Sequence, residues 1–404
     1  MQGSEARGGF PRYTRLAQAL TLIREKLRRL PSEKVALEES FNRVSACNIY
    51  SNIDLPPFDR AAMDGYAVRA QDTRGASELH PARLRVISRG NRIRAKEAVA
   101  IATGEPLPLG SDAVVPVERT RREGDAVLVM EPIAPWENVS RKGEDVRAGE
   151  VIVREGKRLG PAEVGLLAAC GYVEVEVVKR PSVFVIPTGG ELTKPGKPLE
   201  PGKIYECNSY SIRASLLSCG AVPHVSNPVE DDVGVLKRAL RRGAVHDMSL
   251  VLGGSSVGDK DLVASAIAEE GELFFHGVAI RPGSPTAFGF VHGKPVFSLP
   301  GFPAGCLVAF DLLVRPALQR MLGWREEPRK ITAKLGRKVA SVLGRVDVVR
   351  VKVEEVNGEQ VAFPIRVTGS SVLSSLSKAD GYLLIPEDIE KIEEGVQVEV
   401  IAYR

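Results

Sequence analysis

No stretch of this 404-residue sequence comes near the ~20 consecutive apolar residues that cross a bilayer. The longest apolar runs, such as residues 164–173, fall well short, which excludes a membrane span. The start of the chain has no hydrophobic signal region and carries Glu5 and Arg7, so residues 1–13 read as a mobile tail and a cytoplasmic protein is expected. Cysteine is scarce: Cys47, Cys170, Cys207, Cys219 and Cys306 are odd in number, at unrelated spacings, with no Cys-x-x-Cys and no histidine at zinc-ligand spacing. They read as small buried hydrophobes, which excludes a disulfide framework and a cysteine metal site. A surplus of one charge is missing too. The 55 Lys+Arg and 51 Asp+Glu leave a formal +4, and basic residues are interleaved with pairs such as Glu38-Glu39 and Asp231-Asp232. Nothing tracks a phosphate backbone, so no nucleic-acid partner is expected. What is present is globular composition, 44% hydrophobic and 26% charged, without repeats or low-complexity tracts. At ~100–200 residues per domain the length predicts two to four domains.

After the tail, Leu16, Leu20, Ile23, Leu27 and Leu30 place one apolar stripe on a helix that Pro31 ends. A second helix is predicted from Leu37 to about Asn48, before Asp54-Leu-Pro-Pro-Phe-Asp59 breaks all regularity. Residues 66–135 carry short β-type runs at 82–87, 113–116 and 126–131, a β-rich module. The stretch 143–180 holds a helix from Pro161 to Ala169 and a strand at 173–178, expected to pack back on the N-terminal helices. From Pro181 strands alternate with helices: strands 182–186, 222–225 and 249–252, helices 209–219, 231–241 and 261–269. That spacing predicts a parallel, doubly wound sheet, extended by 274–280, 286–290 and 296–299 and closed by a helix over 303–321. Strands at 346–353, 361–367, 381–385 and 396–402 predict a small β domain at the C-terminus.

In an open parallel sheet ligands bind beyond the carboxyl ends of the strands. Two glycine loops occupy that position, Pro187-Thr-Gly-Gly-Glu191 and Gly253-Gly-Ser-Ser-Val-Gly258. Glycine lets backbone approach a phosphate closely, and Ser255 and Ser256 add hydroxyl donors, so Gly253, Gly254 and Gly258 form either an anion cradle or a plain strand-to-helix turn. The loop has neither the Walker nor the dinucleotide spacing. Glu191, Asp259, Asp261, Asp231 and Asp232 flank these loops. Singly they read as helix caps; together they suggest phosphate bound with a divalent cation such as Mg2+. Arg281-Pro-Gly-Ser-Pro285 and Ser298-Leu-Pro-Gly-Phe-Pro303 follow apolar strands, and only Arg281 adds specific anion chemistry there. In the first half, Asp64-Gly65 by itself reads as a hairpin turn, and Thr103 lies in another polar loop.

In this order, Pro56-Pro-Phe-Asp-Arg-Ala-Ala-Met-Asp-Gly-Tyr-Ala67, Ala102-Thr-Gly-Glu-Pro106, Gly143-Glu-Asp145, Thr188-Gly-Gly-Glu-Leu192, the Gly253 loop, Pro300-Gly301 and Ala379-Asp-Gly381 resemble the molybdopterin molybdenumtransferase family, which includes the C-terminal domain of gephyrin. The resemblance spans residues 14–404 and implies α/β plus β-rich modules in four domains. These are a discontinuous helical/mixed domain (14–55 and 140–180), an inserted β-rich domain (56–139), a central doubly wound α/β domain that binds molybdopterin (181–327) and a small C-terminal β-barrel-like domain (328–404). It also implies a head-to-tail homodimer with the site between subunits. The implied activity is an Mg2+-assisted transferase that inserts molybdate (or tungstate) into adenylylated molybdopterin and releases AMP. By motif, Asp64, Thr103, Glu191, Asp231 (or Asp232) and Asp261 are then the functional polar positions, with Glu191, Asp231 and Asp261 on the metal. Gly253, Gly254, Ser255, Ser256 and Gly258 would cradle the pyrophosphate, Pro300 and Gly301 would also bind the cofactor, and Arg281, likewise on the cofactor, and Thr103 would attract the oxyanion. Gly277 and Ser284 stand where the family often has lysine, and Phe302 where it has asparagine. Two alternatives follow: a scaffold that binds molybdopterin with weakened catalysis, and adenylyltransfer to molybdopterin by the α/β domain alone.

Overall fold

A computed structural model of the chain describes residues 13–88, 92–254, 261–325, 327–366 and 372–403, so residues 1–12 of the expected tail lie outside it. Its central sheet has six strands in the order Val222–Val225, Ser182–Pro187, Met248–Leu252, Lys294–Leu299, Ala287–Val291, Gly271–His276. The first four pair parallel, and the last two are joined on by antiparallel pairings, Ala287–Val291 alone running against the rest, which corrects the all-parallel expectation at that edge. Val291 pairs with Lys294 across His292 and Gly293, both at positive φ, and a two-residue turn leaves no length for a crossover helix.

Helices cover both faces, as a doubly wound domain requires. Ile212 and Leu216 pack with Val183, Val185 and Leu250 on one side; Leu236, Leu240, Val263 and Ile267 pack with Phe184, Ile186 and Val251 on the other. Alternate residues of Ser182–Pro187 therefore enter opposite cores, the period of two of a buried strand. The helix expected over 303–321 is continuous, with a π segment, Phe310–Val314, between Pro303–Ala309 and Arg315–Leu322. The wider turn lies just ahead of Pro316, which has no N–H to give the ladder.

Two helical expectations are corrected. The first helix, Leu16–Lys26, stops short of the stripe: Leu27 is already extended, and the Leu30 N–H bonds Met321 O at 2.8 Å. Pro31 disfavours helical backbone at Leu30, and the extended run still buries Leu27. This helix buries Ala19 and Ile23 in the α/β core. The second, expected over 37–48, is only the 3-10 turn Leu37–Glu39. Ser40 Oγ bonds back to Leu37 O at 2.6 Å, Asn42 takes φ 64°, and Val44 and Ser45 bridge instead to Arg158 and Val177.

Residues 143–180 do return to the N-terminal segment, but they meet it on strands: Glu174–Val178 pairs with Ser32–Ala36 and Val151–Val153 with Ile49–Tyr50. Between them a six-stranded sheet over 65–129 encloses its own core of Val68, Leu84, Ala98, Val115 and Val127. At the C-terminus Lys330–Leu335, Val346–Val356, Glu359–Arg366, Gly381–Ile385 and Gln397–Ala402 close into a five-stranded barrel, because Val346–Val356 pairs on both sides. Among the described residues no helix is long and apolar enough to cross a membrane. Cys170, Cys219 and Cys306 are buried, whereas Cys47 is exposed, against expectation, and Cys207 is half-buried.

Candidate functional site

The chain leaves the strand Ser182–Pro187 toward Val222–Val225 on one side and reaches Met248–Leu252 on the other, so the order reverses beside Pro187. A crevice opens at such a switch point. Three turns meet there. The Thr188 N–H bonds Leu252 O (2.9 Å), and the Gly253 N–H bonds Leu299 O (3.0 Å). Gly253 and Gly254 take φ +98° and +64°, and a Cβ on Gly254 would lie 2.9 Å from Thr188 Oγ1 and 3.4 Å from Asp231 Oδ1. Only glycine fits that conformation in that space. A Cβ on Gly301 would lie 3.4 Å from Gly253 Cα, and Asn208 Nδ2 donates to Gly301 O at 2.7 Å. Thr188 is buried, and among the described residues its hydroxyl has no partner. The expected loop members Ser255, Ser256 and Gly258, with Asp259, lie outside the described residues.

The carboxylates divide by occupation. Asp232 caps the helix Val233–Gly243, accepting from the Val235 N–H at 2.8 Å, while Asp231 is exposed, faces Gly254 and carries no hydrogen bond or ion pair among the described residues. Glu191 is exposed, with its carboxylate folded over Gly189. Asp261 is 4% exposed and fully engaged. Its Oδ1 accepts from Val263 N (3.1 Å) and Ala264 N (2.9 Å), and its Oδ2 lies 2.8 Å from His276 Nε2. That bond raises the His276 pKa above the ordinary imidazole value, against the opposing effect of burial. Among the described residues no three His, Cys, Asp or Glu groups gather to hold a metal ion. Of the expected set Glu191, Asp231 and Asp261, the last is already engaged as a helix cap and as the partner of His276.

Arg281 is likewise engaged. Its guanidinium grips Asp347, Nε at 2.7 Å from Oδ1 and Nη2 on Oδ2, and Asp347 is 1% exposed. The charge expected to attract an oxyanion is neutralised here in a contact between the α/β domain and the barrel. Free cationic groups lie elsewhere. A cavity of about 350 Å³ opens at the carboxyl ends of Ser182–Pro187 and Val222–Val225, lined in part by Lys194, Arg213, Tyr210 and Ser209.

The structure brings Asp64 and Thr103 together, in the inserted β module. Asp64 precedes the strand Gly65–Val68, so Asp64-Gly65 is no hairpin turn. Asp64 Oδ1 accepts from Thr103 N (2.7 Å) and Thr103 Oγ1 (2.8 Å). The two bonds, the backbone one foremost, hold the Asp64 carboxyl below its usual range, and they use both donors of Thr103. Among the described residues no hydrogen bond or ion pair joins this pair to the Gly253 turn.

Sequence reasoning missed Thr188 as a buried hydroxyl, although Thr188-Gly189 was part of a singled-out loop, and gave no sign of Asn208, His276 or Asp347, whose partners are distant in the chain.

Three family descriptions match the chain in succession: MoeA N-terminal region (domain I and II) over residues 14–171, probable molybdopterin binding domain over 184–320, and MoeA C-terminal region (domain IV) over 332–403. A protein of Methanocaldococcus jannaschii named for molybdopterin biosynthesis is 40% identical over 95% of this chain and 97% of its own. Molybdopterin molybdenumtransferase 2 of Mycobacterium tuberculosis is 35% identical over 94% of this chain and 97% of its own. A crystal structure of the molybdopterin biosynthesis moeA protein from Pyrococcus horikoshii superposes with a TM-score of 0.83 at 34% identity, covering 97% of this chain and all of that one.

Proposed function

The chain belongs to the molybdopterin molybdenumtransferase family, a transferase family of molybdenum cofactor biosynthesis, and from that premise we propose that it inserts molybdate (or tungstate) into adenylylated molybdopterin and releases AMP. The observation that carries this reading is the meeting of the Thr188, Gly253-Gly254 and Pro300-Gly301 turns at the switch point of the sheet. A switch point lined by glycine turns is where an open parallel sheet places a phosphate ligand. Lys194 and Arg213, lining the adjacent cavity, supply counter-charge that Gly277, Ser284 and the engaged Arg281 do not.

Asp231, the carboxylate with no structural duty, orients the water that cleaves the phosphoanhydride, and Glu191 stands beside it on the Gly189 turn. Asp261 acts at one remove, holding the start of the helix Leu262–Glu270 and the His276 ring in place. Glu191 and Asp231 are the carboxylates that would hold an Mg2+ ion, which would offset phosphate charge there. The Asp64–Thr103 pair lies in a different module from the glycine turns, which supports a site shared between two subunits, one giving the turns and the other the pair.

The deciding experiment incubates the protein with adenylylated molybdopterin and either molybdate or tungstate and follows AMP. Oxyanion-dependent AMP release is expected. Binding of the substrate without its consumption would favour the scaffold reading, and ATP turnover by a fragment spanning 181–321 would favour adenylyltransfer.

A further inference from the structure

Phe302 breaks a local rule at the rim of the glycine turns. It occupies the N-cap of the helix Pro303–Ala309, where Ser, Thr, Asp or Asn would bond a free N–H, and its side chain makes no cap bond. It is also 60% exposed, so its ring is open to a ligand. Its backbone is nevertheless held firmly. Pro303 confines it to extended φ and ψ, observed at −71° and 128°, and the Asn208 bond pins the carbonyl of the residue before it. Beside it Gly301 packs on Gly253 with no side chain between them. An aromatic side chain on a backbone so held, beside the glycine turns, suits a flat ring that stacks on it while its phosphate meets the turns.

We infer that Phe302 is a stacking platform for a flat heteroaromatic ring of the substrate, an inference that rests on the substrate reading above. The shared chemistry is a purine or pterin face. Stacking of this kind is worth enough to change affinity by about tenfold.

The test measures binding of AMP, of molybdopterin and of ribose 5-phosphate by calorimetry, for the unmodified chain and for Phe302→Ala, Phe302→Asn and Phe302→Trp, with thermal midpoints alongside. Phe302→Ala is expected to weaken AMP or molybdopterin by about tenfold, and which of the two suffers identifies the ring. Ribose 5-phosphate, which has a phosphate and no aromatic ring, should be unaffected, and Phe302→Trp should bind at least as well as Phe302. Phe302→Asn restores a cap, so it should hold or raise the thermal midpoint while losing ring affinity, a combination that a purely structural role for Phe302 cannot produce. Unchanged ring affinity in both Phe302→Ala and Phe302→Asn overturns the inference and leaves the function standing. Failure of the unmodified chain to bind either ring compound overturns both.

Discussion

At the scale of single residues, what a carboxylate can do is decided by what already holds it. Asp64 is exposed and bonds only Thr103 among the described residues, so Asp64→Ala is expected to abolish AMP release while leaving the circular dichroism spectrum and thermal midpoint unchanged. Thr103→Val removes the hydroxyl donor but keeps the backbone one. The folded pKa of Asp64 is depressed, so the ionised form persists below its usual range, and Thr103→Val should move the carboxyl titration upward, read by NMR. An unmoved titration would count against the bonds as the cause. Asp261 is different. Asp261→Ala removes the cap of a helix and is expected to cost about 1–2 kcal/mol, measured by denaturant unfolding. His276 has a raised folded pKa, so its contribution to stability is fully present below the unfolded value of ~6.5 and is lost as pH rises through the folded value. Stability measured from pH ~5.5 to ~8.5 should fall by more in the unmodified chain than in His276→Gln.

Among elements, the barrel meets the α/β domain through apolar side chains, Val348 and Tyr382 packing into the α/β core, and through one ionic pair beside a short strand pairing. Ile280–Arg281 pairs with the start of Val346–Val356, and the Arg281–Asp347 bridge sits at that junction, with Ser341 Oγ donating to Asp347 Oδ2 at 2.9 Å. Removing one partner of a buried pair leaves an uncompensated charge, typically costing ~3–5 kcal/mol. Arg281→Met should therefore lower stability by roughly that much, whereas the double variant Arg281→Met, Asp347→Leu should recover most of it, checked by denaturant unfolding. A loss of molybdate affinity in Arg281→Met with stability unchanged would return the residue to the oxyanion role that its motif suggested.

For the molecule as a whole, the proposed function has a near-neutral chain hold an anionic ligand without a basic field, through glycine backbone and a few local cations. The proposed sharing of the site between subunits predicts complementation. Asp64→Ala and Asp231→Ala chains, each inactive alone, should regain AMP release when unfolded, mixed and refolded together, because a mixed dimer holds one site with both defects and one with neither. Mixtures that stay inactive although mixed dimers form would place both residues in one subunit's site.

Much of this was legible in the chain itself. The apolar runs of 182–187 and 248–252, the Pro161 and Pro303 helix starts and the glycine turns are written in local pattern, because burial periodicity, proline's fixed φ and glycine's positive φ act over a few residues. Local pattern misled where a tertiary partner outbid it, as when Val44 and Ser45 left a helical stripe to bridge Arg158 and Val177. Likewise the sequence by itself named the polar groups proposed for a phosphate site: Glu191, Asp231, Asp261 and Arg281 by their place at the sheet edge, Asp64 and Thr103 by resemblance. Only the tertiary structure decided which are already engaged. Asp261 meets His276 and Arg281 meets Asp347 across 15 and 66 residues of chain. No local rule encodes such pairings, since they depend on where a distant element packs.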